Sequence, residues 1–355
     1  MVVVESPNAQ ARSARDLTVH FTHRPPAPVL RYVDEVVGES NPGLTFRYSQ
    51  GVLTSFDVDV VHVVDSSLDT LIGTADASSR QRLLATWAFV RNLRKHRIAL
   101  VRTVDGTDQR DQRSRSDRIA SELLDRVTSA FIVRDAFTQT PAPARTHLIP
   151  YSEFGERFVG YPGATQVPGR LLCIARGFLP SSAVGLLQLI RVTNTPGLTI
   201  RFVAPAHRLS ATKLKGAEAR RSKLISTRLE RISDGARIQE IDAAELVVLP
   251  RAPHTPHDLQ ILFLALSRRR PVLTPRTEAL AELSDEIGVG WLHLTDGPIT
   301  AEAIDLAIDF GRATERSGAP NLEGRSLAST RAAFAQVFER AAATKSVRAR
   351  SRSRS

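Results

Sequence analysis

The run Glu245–Pro275, ELVVLPRAPHTPHDLQILFLALSRRRPVLTP, holds a complete strand–helix–strand unit. Leu246–Leu249 is a short continuous apolar run, the form taken by a strand buried on both faces of a parallel sheet. Thr255 followed three residues later by Asp258 is a capping pattern, and Pro256 falls at the first helical position, where its missing N–H costs nothing. The spacing predicts a helix over Pro256–Ser267 and a second strand over Pro271–Thr274. Parallel neighbours in a sheet need such a crossover, so this one segment points to an α/β fold.

The alternation extends outward on both sides. Downstream it predicts helix Thr277–Glu286, strand Gly290–Leu294, helix Thr300–Thr314 and a last amphipathic helix over Leu327–Ala343. Upstream it predicts strand Arg170–Ala175, helix Ser181–Thr193, strand Leu198–Ala204, a basic helix over Ala217–Ile232 and strand Arg237–Ile241. A first series runs Leu17–Thr22, Thr45–Ser49 and Val58–Val64 as strands, then helix Ser78–Lys95, strand Ile98–Val104, helix Asp117–Val127, and strands Ser129–Val133 and Thr146–Ile149. In helix Ser78–Lys95 the residues Leu83, Leu84, Trp87 and Val90 are expected to form the buried face. Two such series imply two Rossmann-like, doubly wound parallel-sheet domains. The expected organisation is a disordered leader over 1–16, a first domain over 17–150, a linker over 151–169, a second domain over 170–325, a helix over 326–344 and a disordered basic tail over 345–355.

The 355 residues are ample for two cores, and 42% hydrophobic with 24% charged residues excludes a mostly unfolded chain. The single cysteine, Cys173, excludes an internal disulfide framework and lies in an apolar strand, the setting of an inert core thiol. No apolar run approaches the roughly 20 residues of a membrane span, and the N-terminus is too short and wrongly flanked for a signal peptide. The expected location is therefore the cytoplasm. Of 48 basic residues only five are lysine. Five of the positive charges lie in Lys345–Ser355, KSVRARSRSRS, and Arg91, Arg94, Lys95 and Arg97 cluster at a helix end. These groups suit an anionic membrane surface on the inner face, while a solvated terminus and a helix-dipole complement are the plainer readings. Nucleic acid is not expected as a partner, because no recognition helix or stacking platform accompanies the charge.

Ligands of open parallel sheets sit outside the carboxyl ends of the strands. There the first domain offers Asp105 and Asp135, and the second offers Arg176, Arg251, His254 and Arg276. Asp105, in VRTVDGTD, is a candidate general base, and Asp-Gly is also a turn dipeptide. The helix starting at Pro256 directs its positive end outward, with Thr255, His257 and Asp258 beside it. A carboxylate there competes with an anion and suits a ribose hydroxyl better. His254, His257 and Asp258 match no metal-ligand spacing, so neither metal nor cofactor is expected. Dinucleotide and P-loop fingerprints are absent.

The segments VDVVHVVD (58–65), IALVRTVDGTD (98–108), THLIPYSEF (146–154), LLCIARGFLPSSAVGLLQLI (171–190) and Glu245–Pro275 stand in the order seen in bacterial exopolysaccharide sugar transferases. In this the chain resembles a GT-B glycosyltransferase, over about residues 17–340 in architecture. The resemblance implies two domains facing across a cleft, with the acceptor on the first and a nucleotide-diphosphate sugar on the second. It implies donor binding by Arg176, Arg251, His254, Thr255, His257 and Asp258, with Asp105 as base if the reaction inverts. The glutamate pair of many retaining members falls on Pro256 and Leu264, their lysine near Ser181 or Ser182, and their glycine-rich first turn on THRPPAP. The expected activity is metal-independent transfer of a sugar to a glycan or lipid-linked hydroxyl. The alternative is a catalytically degenerate GT-B-like scaffold or binding protein in polysaccharide assembly.

Overall fold

A computed structural model describes residues 17–22, 36–37, 43–49, 52–64, 68–104, 114–153, 160–174, 185–186, 188–203, 224–228, 230, 232–253, 256–313 and 318–352. The chain divides into two compact units, residues 1–150 with 328–355, and residues 151–327. The expected leader over 1–16 lies outside the described residues.

The first unit contains strands β1 (Leu17–Thr22), β2 (Leu44–Ser49), β3 (Val60–Val64), β4 (Ala99–Val104), β5 (Thr128–Val133) and β6 (Thr146–Leu148). Its described helices are α1 (Leu68–Ile72), α2 (Ser79–Lys95) and α3 (Arg115–Val127). The strands form one parallel sheet in the order β2-β1-β3-β4-β5-β6. Side-chain alternation sorts its apolar residues onto two faces. Val60, Ala99 and Val101 face one core; Val61, Val63 and Leu100 face the other, with Phe89, Val90 and Leu93 of α2 and Leu124 and Val127 of α3. His62 shares the parity of Val60. Its ring packs against those of Phe334 and Phe338, and its Nε2 is 3.1 Å from the Thr103 hydroxyl, so this buried histidine is a core residue.

The second unit contains β7 (Arg170–Ile174), β8 (Thr199–Val203), β9 (Ile225–Arg228), β10 (Leu246–Val248), β11 (Val272–Pro275) and β12 (Leu292–Thr295). Its described helices include α4 (Asp234–Asp242), α5 (Pro256–Ser267), α6 (Glu278–Ile287) and α7 (Ala301–Ala313). This sheet is also parallel, in the order β12-β11-β10-β7-β8-β9. Leu172 and Val247 face the core shared with α4, α5 and α6, while Leu171, Cys173, Leu246 and Val248 face the core shared with Ile304 and Ile308 of α7. The two doubly wound parallel sheets expected from the sequence are therefore both present.

The final helix, α8 (Leu327–Arg352), returns to the first unit, where Phe334, Val337, Phe338 and Ala341 cover its sheet at helical spacing. It runs to Arg352, so the segment from Lys345 that was expected to be disordered is helical as far as that residue.

Three other expectations change. The first half of the basic helix expected over Ala217–Ile232 lies outside the described residues, and its second half gives strand Ile225–Arg228, while helix α4 stands where a strand was expected over Arg237–Ile241. Ser233 caps that helix by accepting the Ala236 N–H at 3.2 Å, and Ile238 and Ile241 are buried three residues apart. That spacing belongs to a helix; over a short window it resembles alternation. The stretch 160–169 is no free linker. Val167 N–H donates to the Ala243 carbonyl at 3.0 Å, and Arg270 donates to the Gln166 side chain at 3.1 Å. Gly169 has φ +75°, and a Cβ there would collide with the Gly197 carbonyl, so the turn into β7 requires glycine.

The third change concerns α2. Its buried face is Thr86, Phe89, Val90 and Leu93, not the stripe through Leu84 and Trp87. Leu84 is 67% exposed and Trp87 53% exposed. The helix carries two apolar stripes, and Phe89 and Leu93 win the sheet because they continue into the Ile98–Leu100 core.

Candidate functional site

In the second sheet β7 is followed in sequence by β8 and β9 on one side, while β10, β11 and β12 lie on the other. The order reverses between β7 and β10, which makes the carboxyl ends of these two strands the switch point where open α/β sheets bind ligands. β7 ends at Ile174, two residues before Arg176. β10 ends at Val248, and the chain then passes through Arg251 to the start of α5 at Pro256. The helix begins at the residue expected from the sequence.

The backbone here is tied to the sheet. Leu249 N–H donates to the Leu273 carbonyl at 2.9 Å, and the buried Thr274 hydroxyl donates to the Arg251 carbonyl at 3.4 Å. Arg251 itself is exposed, and no carboxylate partners it among the described residues. Arg276, which follows β11, donates from Nε to Asp296 at 2.7 Å. The other end of the sheet is clamped by ion pairs. Arg268 is bidentate on Asp242 at 2.8 and 2.6 Å, and Arg312 is bidentate on Glu245 at 2.8 and 3.0 Å. Arg201 is bidentate on Glu240 at 3.0 and 2.8 Å. In this unit, then, Arg201, Arg268 and Arg312 serve as structural clamps, while Arg251 is an exposed cation at the switch point.

Asp258 is half-buried in the first turn of α5, where its charge complements the positive helix end. His257 lies in the same turn, and its side chain is outside the described residues. Asp105, Arg176, His254 and Thr255 also lie outside the described residues. Two polar residues of this region escaped the sequence reading: Thr274, which holds the Arg251 carbonyl, and Gln260, buried on α5 four residues after Pro256. Neither has a motif that would single it out. Cys173 is fully buried, and burial pushes its thiol pKa far up, which removes it as a nucleophile.

At the carboxyl ends of the first sheet, β4 leads directly into Asp105 and β5 into Arg134 and Asp135. Asp135 accepts the Phe137 and Thr138 N–H groups at 2.9 and 2.8 Å and the Thr138 hydroxyl at 2.9 Å. It builds a turn, not a site. Arg134 is buried with its guanidinium 5.6 Å from the Phe334 ring. Among the described residues no cluster of three potential metal ligands occurs, and no helix is long and apolar enough to cross a membrane.

A cation beside a helix start at the switch point of a parallel sheet is suited to holding a diphosphate and stabilising it as a leaving group. The chain is 29% identical over 326 residues to the GDP-mannose:glycolipid 4-beta-D-mannosyltransferase of Xanthomonas campestris pv. campestris, spanning 90% of this chain and 91% of that one. Among solved structures it is similar to Anabaena HepE in complex with UDP, with a TM-score of 0.57 at 14% identity, covering 96% of this chain and all of the other. It is also similar to the lipopolysaccharide outer core galactosyltransferase WaaB, with a TM-score of 0.53 at 10% identity over 93% of this chain. At these identities the two structures bear on the fold alone. No family model matches the chain.

The protein has the GT-B fold, two Rossmann-like units in one chain. It is a glycosyltransferase of that fold, similar in sequence to a bacterial GDP-mannose:glycolipid mannosyltransferase.

Proposed function

We propose that the protein transfers a hexosyl residue, mannose in the first instance, from a GDP-linked donor to a hydroxyl of a lipid-linked glycan. The observation that carries this reading is the similarity to the Xanthomonas enzyme, which extends across nine-tenths of both chains and so includes both units.

The sugar of GDP-mannose is α-linked, so a β product requires inversion in a single displacement. The acceptor oxygen bonds to the anomeric carbon, the bond from that carbon to the diphosphate oxygen breaks, and GDP leaves. The acceptor proton passes to a general base, for which Asp105 at the end of β4 is the candidate. Arg251, Arg176 and the start of α5 offset the charge growing on the leaving diphosphate. In this reading Thr255 and His254, which precede α5, and Asp258 and His257 of its first turn meet the nucleoside. Inversion also accounts for Pro256 and Leu264 at the positions where retaining relatives carry glutamates. The residues proposed here leave no step that needs a metal.

The test is transfer of labelled mannose from GDP-mannose to a lipid-linked oligosaccharide by wild type and Asp105→Asn. The expected outcome is product with inverted configuration, and turnover lowered roughly 10²–10⁴-fold in the variant with GDP binding kept. Near-wild-type turnover by Asp105→Asn removes the residue from catalysis, because Asn serves a turn equally well. No transfer by the wild type from GDP-, UDP- or ADP-sugars shifts the reading to a non-catalytic member of the fold.

A further inference from the structure

The helix α2 buries Thr86, Phe89, Val90 and Leu93, and the opposite side faces solvent. On that side Arg80, Leu84, Trp87, Arg91 and Arg94 follow one another at intervals of four and three residues, with Lys95 beside them. This spacing draws a single stripe along the helix. All six are exposed. The seventeen residues of α2 include no acid. Its remaining cation, Arg82, is consumed by a bidentate pair with Asp117 at 2.8 and 3.0 Å. Arg80, Arg94 and Lys95 have no carboxylate partner among the described residues, and the Arg91 guanidinium lies 5.7 Å from the centre of the Trp87 ring. The protein's other tryptophan, Trp291, is 4% exposed, so the placement of Trp87 in water is not a general habit of the chain.

We propose that the solvent face of α2 is a docking surface for an anionic lipid bilayer, with Leu84 and Trp87 entering the interface and Arg80, Arg91, Arg94 and Lys95 meeting lipid phosphates. Tryptophan settles at the headgroup level because its ring is apolar and its N–H polar. Arginine and lysine reach phosphates while their stems lie along apolar surface. An apolar stripe flanked by cations and devoid of acids is the pattern of a helix lying in a membrane surface. Leu84 is the residue that selects lipid over nucleic acid: a phosphate backbone offers an exposed leucine nothing, whereas an acyl boundary does. The surface works independently of the transfer reaction, and with a lipid-linked acceptor it would hold the enzyme on the surface that carries its substrate.

The experiment uses the full chain without donor or acceptor. Flotation and tryptophan emission are followed with vesicles of phosphatidylcholine alone and of equal parts phosphatidylcholine and phosphatidylglycerol. The expected result is binding to the anionic vesicles at low salt, weakened by added salt, with a blue shift of the emission. Trp87→Ser should abolish the shift, since Trp291 is already buried. The combination Arg91→Gln, Arg94→Gln and Lys95→Gln should lower partitioning roughly a hundredfold, at about fivefold per charge. Circular dichroism checks that each variant is folded, and Leu84→Ser with Trp87→Ser serves as a second variant that keeps every charge. Any of four results overturns the proposal: no flotation of the wild type at low salt, binding with unchanged emission and no loss in either multiple variant, tighter binding to a single-stranded oligonucleotide than to the anionic vesicles, or self-association through Trp87 that vesicles fail to displace. Because no sugar transfer is measured, failure of the proposed reaction leaves this result readable, and the reverse.

Discussion

Arg251 and Arg276 follow neighbouring strands of the second sheet, and they differ in what their guanidinium groups meet. Asp296 neutralises Arg276 at 2.7 Å, while Arg251 stands exposed with its carbonyl held by Thr274. Arg251→Ala should therefore weaken GDP binding by about 1.5–3 kcal/mol, the worth of a hydrogen bond to a charged group, and Arg276→Ala should leave it unchanged. Isothermal titration of the two variants checks the pair. A third arginine has a structural part. Arg82 beside Asp117, helped by the Ser114 and Ser79 hydroxyls, holds the Asp117 carboxyl well below the usual carboxylate range. A depressed carboxyl pKa contributes stability that is full above the unfolded value near pH 4 and is lost as pH falls toward the folded value. Wild type should exceed Asp117→Asn by about 1–2 kcal/mol at pH 7, with the gap closing below about pH 4 in urea denaturation across pH. None of these pairings is written in the sequence, since the partners are 20 and 35 residues apart.

At the scale of elements, α5 and α2 show why one helix is legible and another only partly so. α5 announces itself by Thr255, Pro256 and Asp258, and its bounds are Pro256–Ser267 as read. α2 is equally clear in extent, yet it carries two apolar stripes, and the expected face through Leu84 and Trp87 is not the one that meets the sheet. Packing decides that, through neighbours distant in sequence. The choice is measurable: Phe89→Ala should cost about 3–5 kcal/mol as a core deletion, whereas Trp87→Ser should stay within about 0.5 kcal/mol as a surface change. Denaturant melts of the two variants test the assignment, and a large loss in Trp87→Ser would reverse the faces. The strand expected over Arg237–Ile241 and found as helix has the same origin: Ile238 and Ile241 fit a short alternating run until the Ser233 cap is seen to start a helix.

Across the whole molecule, the parallel sheets were legible because continuous or nearly continuous apolar runs such as Leu246–Val248 and Val60–Val64 need cover on both faces, and the helices between them supply it. The strand order was not, because nothing in a strand's own residues names its neighbour; only the order β10-β7 in the second sheet makes Arg251 and the start of α5 a candidate ligand site. The return of α8 to the first unit was likewise hidden, although its Phe334, Val337, Phe338 and Ala341 stripe declared an apolar face in search of a sheet. The central claim is that a nucleoside diphosphate binds at this switch point. Hydrogen–deuterium exchange of the full chain, alone and with GDP, UDP and ADP in turn, tests it most directly. At least one nucleotide, GDP foremost, should slow exchange over 249–262 while leaving α2 unchanged; the same rates over 249–262 with all three, or protection confined to the first sheet, would contradict it.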